Sequence, residues 1–275
     1  MKIINKKKII LRILFYIGLV IIVLPTVFVF YWMVLSSFKN QVQNLSYPPL
    51  FIFKPTLENY TAVFKQQNFG KYLFNSFVVA TGSTFISLLV GIPAAYSISR
   101  FKMKRTIFVL TVARMIPFIS YLIPWYILFT KLKLVDTYLG LTLSHIIINL
   151  PLVIILMSSF FDDVPVELEE AATVDGASAF RTFLEISVPI AANGIITSAI
   201  LSFIFSWNQF LFSLILSGPK TKTVPIAVFN FMSYEMINWG GIMAAATLIA
   251  LPVLILTLFI HRYIVKGLTM GALKE

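Results

Sequence analysis

Long apolar runs alternate with short polar breaks along this chain. Six runs fit residues 13–35, 72–98, 106–129, 138–160, 188–216 and 241–264. A helix that crosses the ~30 Å hydrocarbon layer of a bilayer needs roughly 20 mostly apolar residues. Lipid offers no hydrogen bonds, so each run must satisfy its own backbone, which a helix does. The pattern predicts an all-α membrane protein of six transmembrane helices. Residues 36–71 hold Pro48, Pro49 and Pro55 and predict an ordered but irregular connector. Pro93, Pro117, Pro124, Pro151 and Pro252 fall inside runs and predict kinked helices. The expected organisation is an N-terminal helix and loop over 1–71, a transmembrane core over 72–265 and a tail over 266–275.

Composition supports this reading. The chain is 59% hydrophobic and 12% charged, against about a quarter charged in ordinary soluble domains. It has no cysteine, which excludes disulfide and thiol chemistry. A net charge of +11 in a soluble protein would suggest nucleic acid. Here Lys and Arg mark helix ends instead, and no nucleic acid is expected. Lys2, Lys6, Lys7, Lys8 and Arg12 precede the first run and mimic a signal peptide. That run outlasts a usual signal core and ends without a small-residue cleavage site, so it is expected to be a retained first helix. With the N-terminus in the cytoplasm, thirteen basic residues fall inside: those five, Arg100, Lys102, Lys104, Arg105, Arg181, Arg262, Lys266 and Lys274. Eight fall outside: Lys39, Lys54, Lys65, Lys71, Lys131, Lys133, Lys220 and Lys222. Arg114 lies within the third run. The asymmetry predicts N-in and C-in.

Acidic residues break the pattern. Seven of the eleven (Asp162, Asp163, Glu167, Glu169, Glu170, Asp175 and Glu185) fall between the fourth and fifth runs. Asp162, Asp163 and Pro165 suit a helix start. Residues 167–174 read as a short helix, and Gly176 can take the left-handed conformation that ends it. Ser178 can cap a second helix, with Phe180, Phe183 and Leu184 on one face. Ala171 and Ala172 are small enough for another surface to approach. Segment 161–187 is therefore either a docking element with an aromatic underside or a solvated loop with incidental charge.

Spacing separates these alternatives. Glu170-Ala171-Ala172, three residues, Gly176, nine residues and Ile186-Ser187-Val188-Pro189 resemble the cytoplasmic signature of permease subunits of ATP-binding cassette importers. Val188 stands where Leu is usual. Ser36-Ser37-Phe38-Lys39, Thr56-Leu57-Glu58-Asn59-Tyr60, Asp136-Thr137-Tyr138-Leu139-Gly140-Leu141, Trp207-Asn208-Gln209-Phe210-Leu211-Phe212 and the tail from Arg262 to Ala272 are similar to the maltose-type carbohydrate branch. The resemblance implies the type I importer permease fold and import of a mono- or oligosaccharide. It implies four kinds of partner: a second homologous permease, two copies of a cytoplasmic ATPase, an extracytoplasmic solute-binding protein, and the surrounding lipid. It also implies that the loop over 167–180 couples to the ATPases through Glu170, Ala171, Ala172, Asp175, Gly176 and Phe180. The tail after Lys266 is expected to reach the ATPases too. No G-x-x-x-x-G-K-[ST] motif occurs; Gly70-Lys71 is followed by Tyr72. ATP and Mg are thus expected on partner subunits, with no cofactor, metal or catalytic residue on this chain.

Polar residues inside the runs are candidates for a sugar path: Asn75, Arg114, Asn149, Trp207 and Asn208, with Asn193 and Gln209 beside them. Sugars pair with aromatic faces and amides, although helix–helix bonding and snorkelling explain the same residues singly. Two rivals stand. An ion-coupled carrier needs carboxylates inside the runs, and none of the acids lies there. An intramembrane hydrolase could use Ser83 and His145, with nothing visible to orient the base. His145 and His261 do not have metal-site spacing.

Overall fold

The computed structural model describes residues 6–66, 68–231 and 237–271. It divides into two compact units, Met1–Asn68 with Val228–Ile249 and Phe69–Ala227 with Ala250–Glu275.

The first unit opens on α1 (Lys6–Ser37), whose apolar stretch Leu11–Ser37 is long enough to cross a bilayer. Its surface is exposed almost throughout, as suits a helix whose solvent is lipid. After α1 the connector is pinned by polar bonds. The short α2 (Gln41–Asn44) carries a capping box, in which Asn40 and Gln43 each accept from the other's backbone amide. α3 (Glu58–Gln66) sends Asn59 back to the carbonyls of Ser37 and Lys39, both at 2.7 Å, and its Tyr60 hydroxyl lies 2.7 Å from Ser37 Oγ. The Lys39 ammonium sits 4.1 Å from the Trp32 ring centroid and 5.2 Å from that of Phe53. Burial lowers its pKa. The connector is ordered and irregular, as its prolines and polar residues predict.

The second unit is built on three helices: α4 (Phe69–Arg100), α7 (Tyr138–Asp162) and α11 (Ala192–Trp207). Between α4 and α7 lie α5 (Lys104–Met115), a 3-10 turn (Phe118–Tyr121) and α6 (Leu122–Lys131). Between α7 and α11 lie α8 (Val166–Val174), α9 (Ala179–Thr182), a π-helical turn (Phe183–Ser187) and α10 (Val188–Ile190). α12 (Leu211–Leu216) and α13 (Val224–Ala227) follow, and α14 (Trp239–Gly271) ends the described chain. Small residues let the three main helices approach. A Cβ on Gly194 would lie 2.4 Å from the Phe160 ring, and one on Gly91 2.7 Å from a Val153 methyl. Ala95, Ile98, Val153, Ile154, Met157 and Phe161 fill one end of the seam, and Val79, Leu141, Ile148, Phe212 and Leu216 the other.

Among the described residues, four unbroken helices are long and apolar enough to span a membrane: α1, α4, α7 and α14. The third and fifth expected spans are bent pairs, by 86° between α5 and the segment ending in α6, and by 74° between the segments 179–190 and 192–207. The sharper bend sits at Ile116, which is extended (φ −67°, ψ 124°) because Pro117 disfavours a helical residue before it. The third run, expected as a kinked helix, is a broken one, and the fifth, expected as one span, is broken too. The side chains of residues 260–275, where the tail expectation falls, lie outside the described residues.

Candidate functional site

The acidic segment folds as a two-helix element at one end of the second unit. Pro165 precedes α8 without offering a side-chain cap, and Glu167 and Glu169 occupy the first turn, at the positive end of the helix dipole. The helix stops at Gly176, whose φ is +86°. Gly176 N–H donates to Thr173 O (3.0 Å) and Ala177 N–H to Ala172 O (2.9 Å), the paired bonds of a Schellman turn. Ser178 then caps α9, its hydroxyl accepting from Arg181 N–H at 3.3 Å.

Outward-facing Glu170, Ala171, Asp175 and Gly176 are exposed, and Phe180 is 70% exposed. Ala172 is buried, so only one of the two alanines is open to an approaching surface. The expected aromatic face is also divided. Phe183 is buried with its ring 4.9 Å from Tyr96, while Phe180 and Leu184 remain exposed. Phe183 N–H still donates to Ala179 O, so the two phenylalanines keep α-helical spacing and the π-helical turn follows them. Pro189 accounts for the turn, because it has no N–H for the Glu185 carbonyl and its ring would crowd that oxygen in an α-helix.

Inside the element, Glu169 and Arg100 form a centre that sequence reasoning missed. Arg100 Nε donates to both Glu169 oxygens (2.9 and 2.8 Å), and Nη2 donates to Oε1 (2.7 Å). Its Nη1 reaches Phe161 O (3.0 Å) and Nη2 also reaches Val164 O (3.3 Å), satisfying carbonyls at and just beyond the end of α7. Ser187 Oγ donates to Glu169 Oε1 (2.6 Å) and Tyr96 OH to Oε2 (3.1 Å). One carboxylate thus joins α4, α8 and the turn into the fifth span. Burial alone would raise the Glu169 pKa. Hydrogen bonds from Arg100 and Ser187, the Arg100 charge and the Tyr96 hydroxyl outweigh it and hold the carboxyl below its usual range. Nearby, Ser99 Oγ donates to Asp162 Oδ1 at 2.5 Å.

The expected sugar-path residues are dispersed. Asn75 is fully buried; its amide donates to Lys220 O (3.2 Å) and Lys222 O (2.8 Å), and its oxygen accepts from Tyr138 OH (2.6 Å). It anchors a loop. Asn149 is buried on α7, with its nitrogen 3.5 Å from Ser83 Oγ and its oxygen unpartnered. Arg114 is half-buried beside Trp125, Tyr121 and Pro151 around a cavity of ≈ 280 Å³. Trp207 closes α11 and stacks on Phe203 (5.7 Å, 20°) in an apolar groove of ≈ 630 Å³ with Phe77, Leu251 and Pro252. Asn208 is exposed just past α11 and donates to Ile204 O at 3.0 Å. Asn193 and Gln209 accept local bonds, from Thr197 Oγ1 and Leu211 N–H.

Ser83 and His145 meet through a third residue: Ser206 Oγ lies 2.9 Å from Ser83 Oγ and 2.6 Å from His145 Nδ1. All three are buried, between 0% and 5% exposed, and His145 Nε2 has no partner. A hydrolytic base would need an orienting group and an approach for substrate. This arrangement has neither, and fits polar bonding between helices.

At the opposite end of the three-helix seam, Asp136 (φ +56°) holds the loop after α12. Its Oδ1 accepts from the amides of Gly218 (3.0 Å), Lys220 (3.2 Å) and Thr221 (3.0 Å) and from Thr221 Oγ1 (2.8 Å). Burial would raise its pKa, but these bonds lower it. Lys71 Nζ ties the same loop at Pro219 O (3.0 Å).

Comparison with known proteins places this geometry. Residues 87–270 match the model of the binding-protein-dependent transport system inner membrane component. The chain is similar to the probable ABC transporter permease protein y4oR of Sinorhizobium fredii, with 40% identity over 90% of each chain. It is similar to the trehalose/maltose transport system permease protein MalG of Thermococcus litoralis, with 35% identity over 98% of this chain and 99% of that one. Its fold is that of a chain in the crystal structure of a bacterial ABC transporter involved in the import of the acidic polysaccharide alginate (TM-score 0.78, 19% identity, 96% and 99% covered). Matched over most of its length, the chain belongs to the family of binding-protein-dependent transport system inner membrane components, the membrane-embedded and non-enzymatic part of such systems.

Proposed function

We propose that this chain is a permease subunit of an ATP-driven importer that moves a mono- or oligosaccharide into the cytoplasm. It works beside a second homologous permease, above two copies of a cytoplasmic ATPase that bind ATP and Mg, and below an extracytoplasmic solute-binding protein. This chain itself binds no cofactor. Both termini lie in the cytoplasm, in accord with the thirteen-to-eight basic asymmetry. The curated relatives support the sugar as cargo: besides the trehalose/maltose protein, one is the trehalose transport system permease protein SugB of Mycobacterium tuberculosis, 38% identical over 80% of this chain.

One observation carries the mechanism. The element over 167–180 presents an exposed face of Glu170, Ala171, Asp175, Gly176 and Phe180, while its inner side is bonded to the bundle. A face of this kind fits a groove on a soluble partner. ATP binding draws the two ATPases together, their grooves carry the coupling elements, and the spans exchange inward-facing for outward-facing states. The partner shifts that equilibrium only by its difference in affinity for the two states. A sugar path along the permease pair would use polar groups such as Arg114 and Asn208; the groove at Trp207 is lined mostly by apolar side chains such as Phe77, Phe203 and Leu251, which suits lipid or an apolar helix better than a sugar.

The test places single cysteines at Ala171 and Phe180 in the assembled importer in intact cells. Crosslinks to an ATPase subunit that change on ATP depletion are expected. Complete absence of crosslinks, with uptake intact, would remove the coupling role. Sugar-stimulated hydrolysis in the reconstituted complex, abolished when the binding protein is left out, tests the transport class.

A further inference from the structure

A nine-residue helix that transmits force should be fastened by its buried face. α8 buries only two of its residues, Glu169 and Ala172. A methyl group offers little area to grip, so the attachment of α8 falls on the Glu169 carboxylate. Its partners come from distant segments. Arg100 and Tyr96 stand one turn apart on α4, and Ser187 ends the π-helical turn that leads into the fifth span. Arg100 reaches past Glu169 to Phe161 O and Val164 O at the end of α7. Side-on pairing of guanidinium and carboxylate admits one orientation, unlike a point charge.

We propose that Glu169 and Arg100 are positioning residues of the coupling element, fixing α8 to α4, α7 and the entry of the fifth span so that displacement of α8 moves those helices as one. The inference rests on the coupling role of the 167–180 segment, and concerns the inner face of that segment where the partner does not touch. Displacement enters at the exposed residues and leaves through one carboxylate, with apolar packing of Phe183 against Tyr96 and Phe161 keeping water from it. Tyr96 and Ser187 add direction, since each bonds a different oxygen of Glu169.

The test has two arms. In the first, the full chain in lipid nanodiscs carries spin labels at Phe101 and Val174, which are 78% and 87% exposed. A narrow distance distribution is expected in the parent, and a broad one in Glu169→Gln. Tyr96→Phe and Ser187→Ala remove only a hydroxyl each and are expected to broaden it less, so a folding failure of the charge variant does not end the test. In the second arm, uptake per ATP hydrolysed in the reconstituted importer is expected to fall by at least about tenfold in Glu169→Gln, with hydrolysis continuing but no longer raised by loaded binding protein. Arg100→Lys keeps the charge and loses the fork, and is expected to resemble Glu169→Gln in both arms. Parent-like distances in Glu169→Gln, or parent-like coupling in Arg100→Lys, overturn the positioning role. Crosslinks from Ala171 to an ATPase would persist in that event. Their absence in the parent would instead overturn the coupling reading, and the spin-label arm still decides whether Glu169 positions α8.

Discussion

Replacing Gly176 separates backbone strain from crowding. An added Cβ at this position meets nothing within 4 Å, yet φ is +86°. Any defect therefore comes from the backbone conformation. An L-residue with a Cβ in the left-handed region costs roughly 1–2 kcal/mol, and a β-branched one more. Asn tolerates the region better than most. Two Schellman bonds, Gly176 N–H to Thr173 O and Ala177 N–H to Ala172 O, depend on that conformation. A cost of 1–2 kcal/mol lowers the closed turn by a factor of about 5–30 relative to the frayed one. The ordering Gly ≈ Asn > Ala > Val is expected in uptake per ATP hydrolysed by the reconstituted importer. Hydrogen exchange of the Gly176 and Ala177 amides, or of their substituted equivalents, should follow the same order. Parent-like coupling in Gly176→Val would refute the reasoning. So would equal defects in the Asn and Val variants, since crowding cannot account for either.

Other perturbations read other parts of the fold. The Glu169 carboxyl has a lowered folded pKa, so its stabilisation is complete above the unfolded value of 4.5 and fades as pH falls below it toward the folded value. Thermal unfolding should show the parent losing its advantage over Glu169→Gln as the pH falls below 4.5; parallel curves would deny it. Asp136→Ala removes the acceptor of three amides and one hydroxyl, and should raise exchange of the Gly218, Lys220 and Thr221 amides by about tenfold or more. Unchanged protection would mean that Lys71 and Asn75 hold the loop alone. Gly140→Ala would put a Cβ 2.1 Å from the Leu134 carbonyl oxygen, which is backbone and cannot swing away. Denaturation should find it destabilised by about 1–3 kcal/mol.

The parts legible in the sequence are those set by neighbouring residues. Runs at 13–35, 72–98 and 138–160 appear as helices with apolar stretches Leu11–Ser37, Phe69–Arg100 and Tyr138–Asp162, because an uninterrupted apolar run in lipid has one outcome. Gly176 and Ser178 act as read, since a left-handed helix stop and a hydroxyl cap are local rules. The run at 106–129 announces a kink at Pro117 but breaks outright there, and the run at 188–216 conceals its break at Ala191, because mean hydropathy carries across a break that the backbone does not. Glu169 looked like one carboxylate among seven. Its role depends on Arg100, 69 positions away, and no periodicity links the two. Phe180 and Phe183 have helical spacing, but three residues on an α-helix still leave about 60° between side chains, and here Phe183 turns inward while Phe180 stays outside. The tertiary partners of Asn75, two carbonyls of a loop about 145 positions away, were equally out of reach of a local reading.

The choice of an ion pair to hold α8 has a physical rationale in what the element must do. Burial of apolar surface is non-directional, so two apolar faces can slide past each other at little cost. A buried ion pair contributes little net stability, because desolvation consumes most of its attraction. Losing one partner is nevertheless severe, about 3–5 kcal/mol, because the other charge is left stranded. Such a contact is a poor source of stability and a good source of fixed geometry. The three-helix seam shows a different balance: Gly91, Gly194 and the apolar cluster around Met157 make close, continuous packing, with a few polar bonds such as those among Ser83, Ser206 and His145 crossing it. That packing supplies a rigid body, and Arg100 and Phe161 stand at the ends of its two longest members, facing α8. Stability therefore resides in the seam and direction in the carboxylate, which explains how a helix with one buried methyl can steer a bundle many times its size.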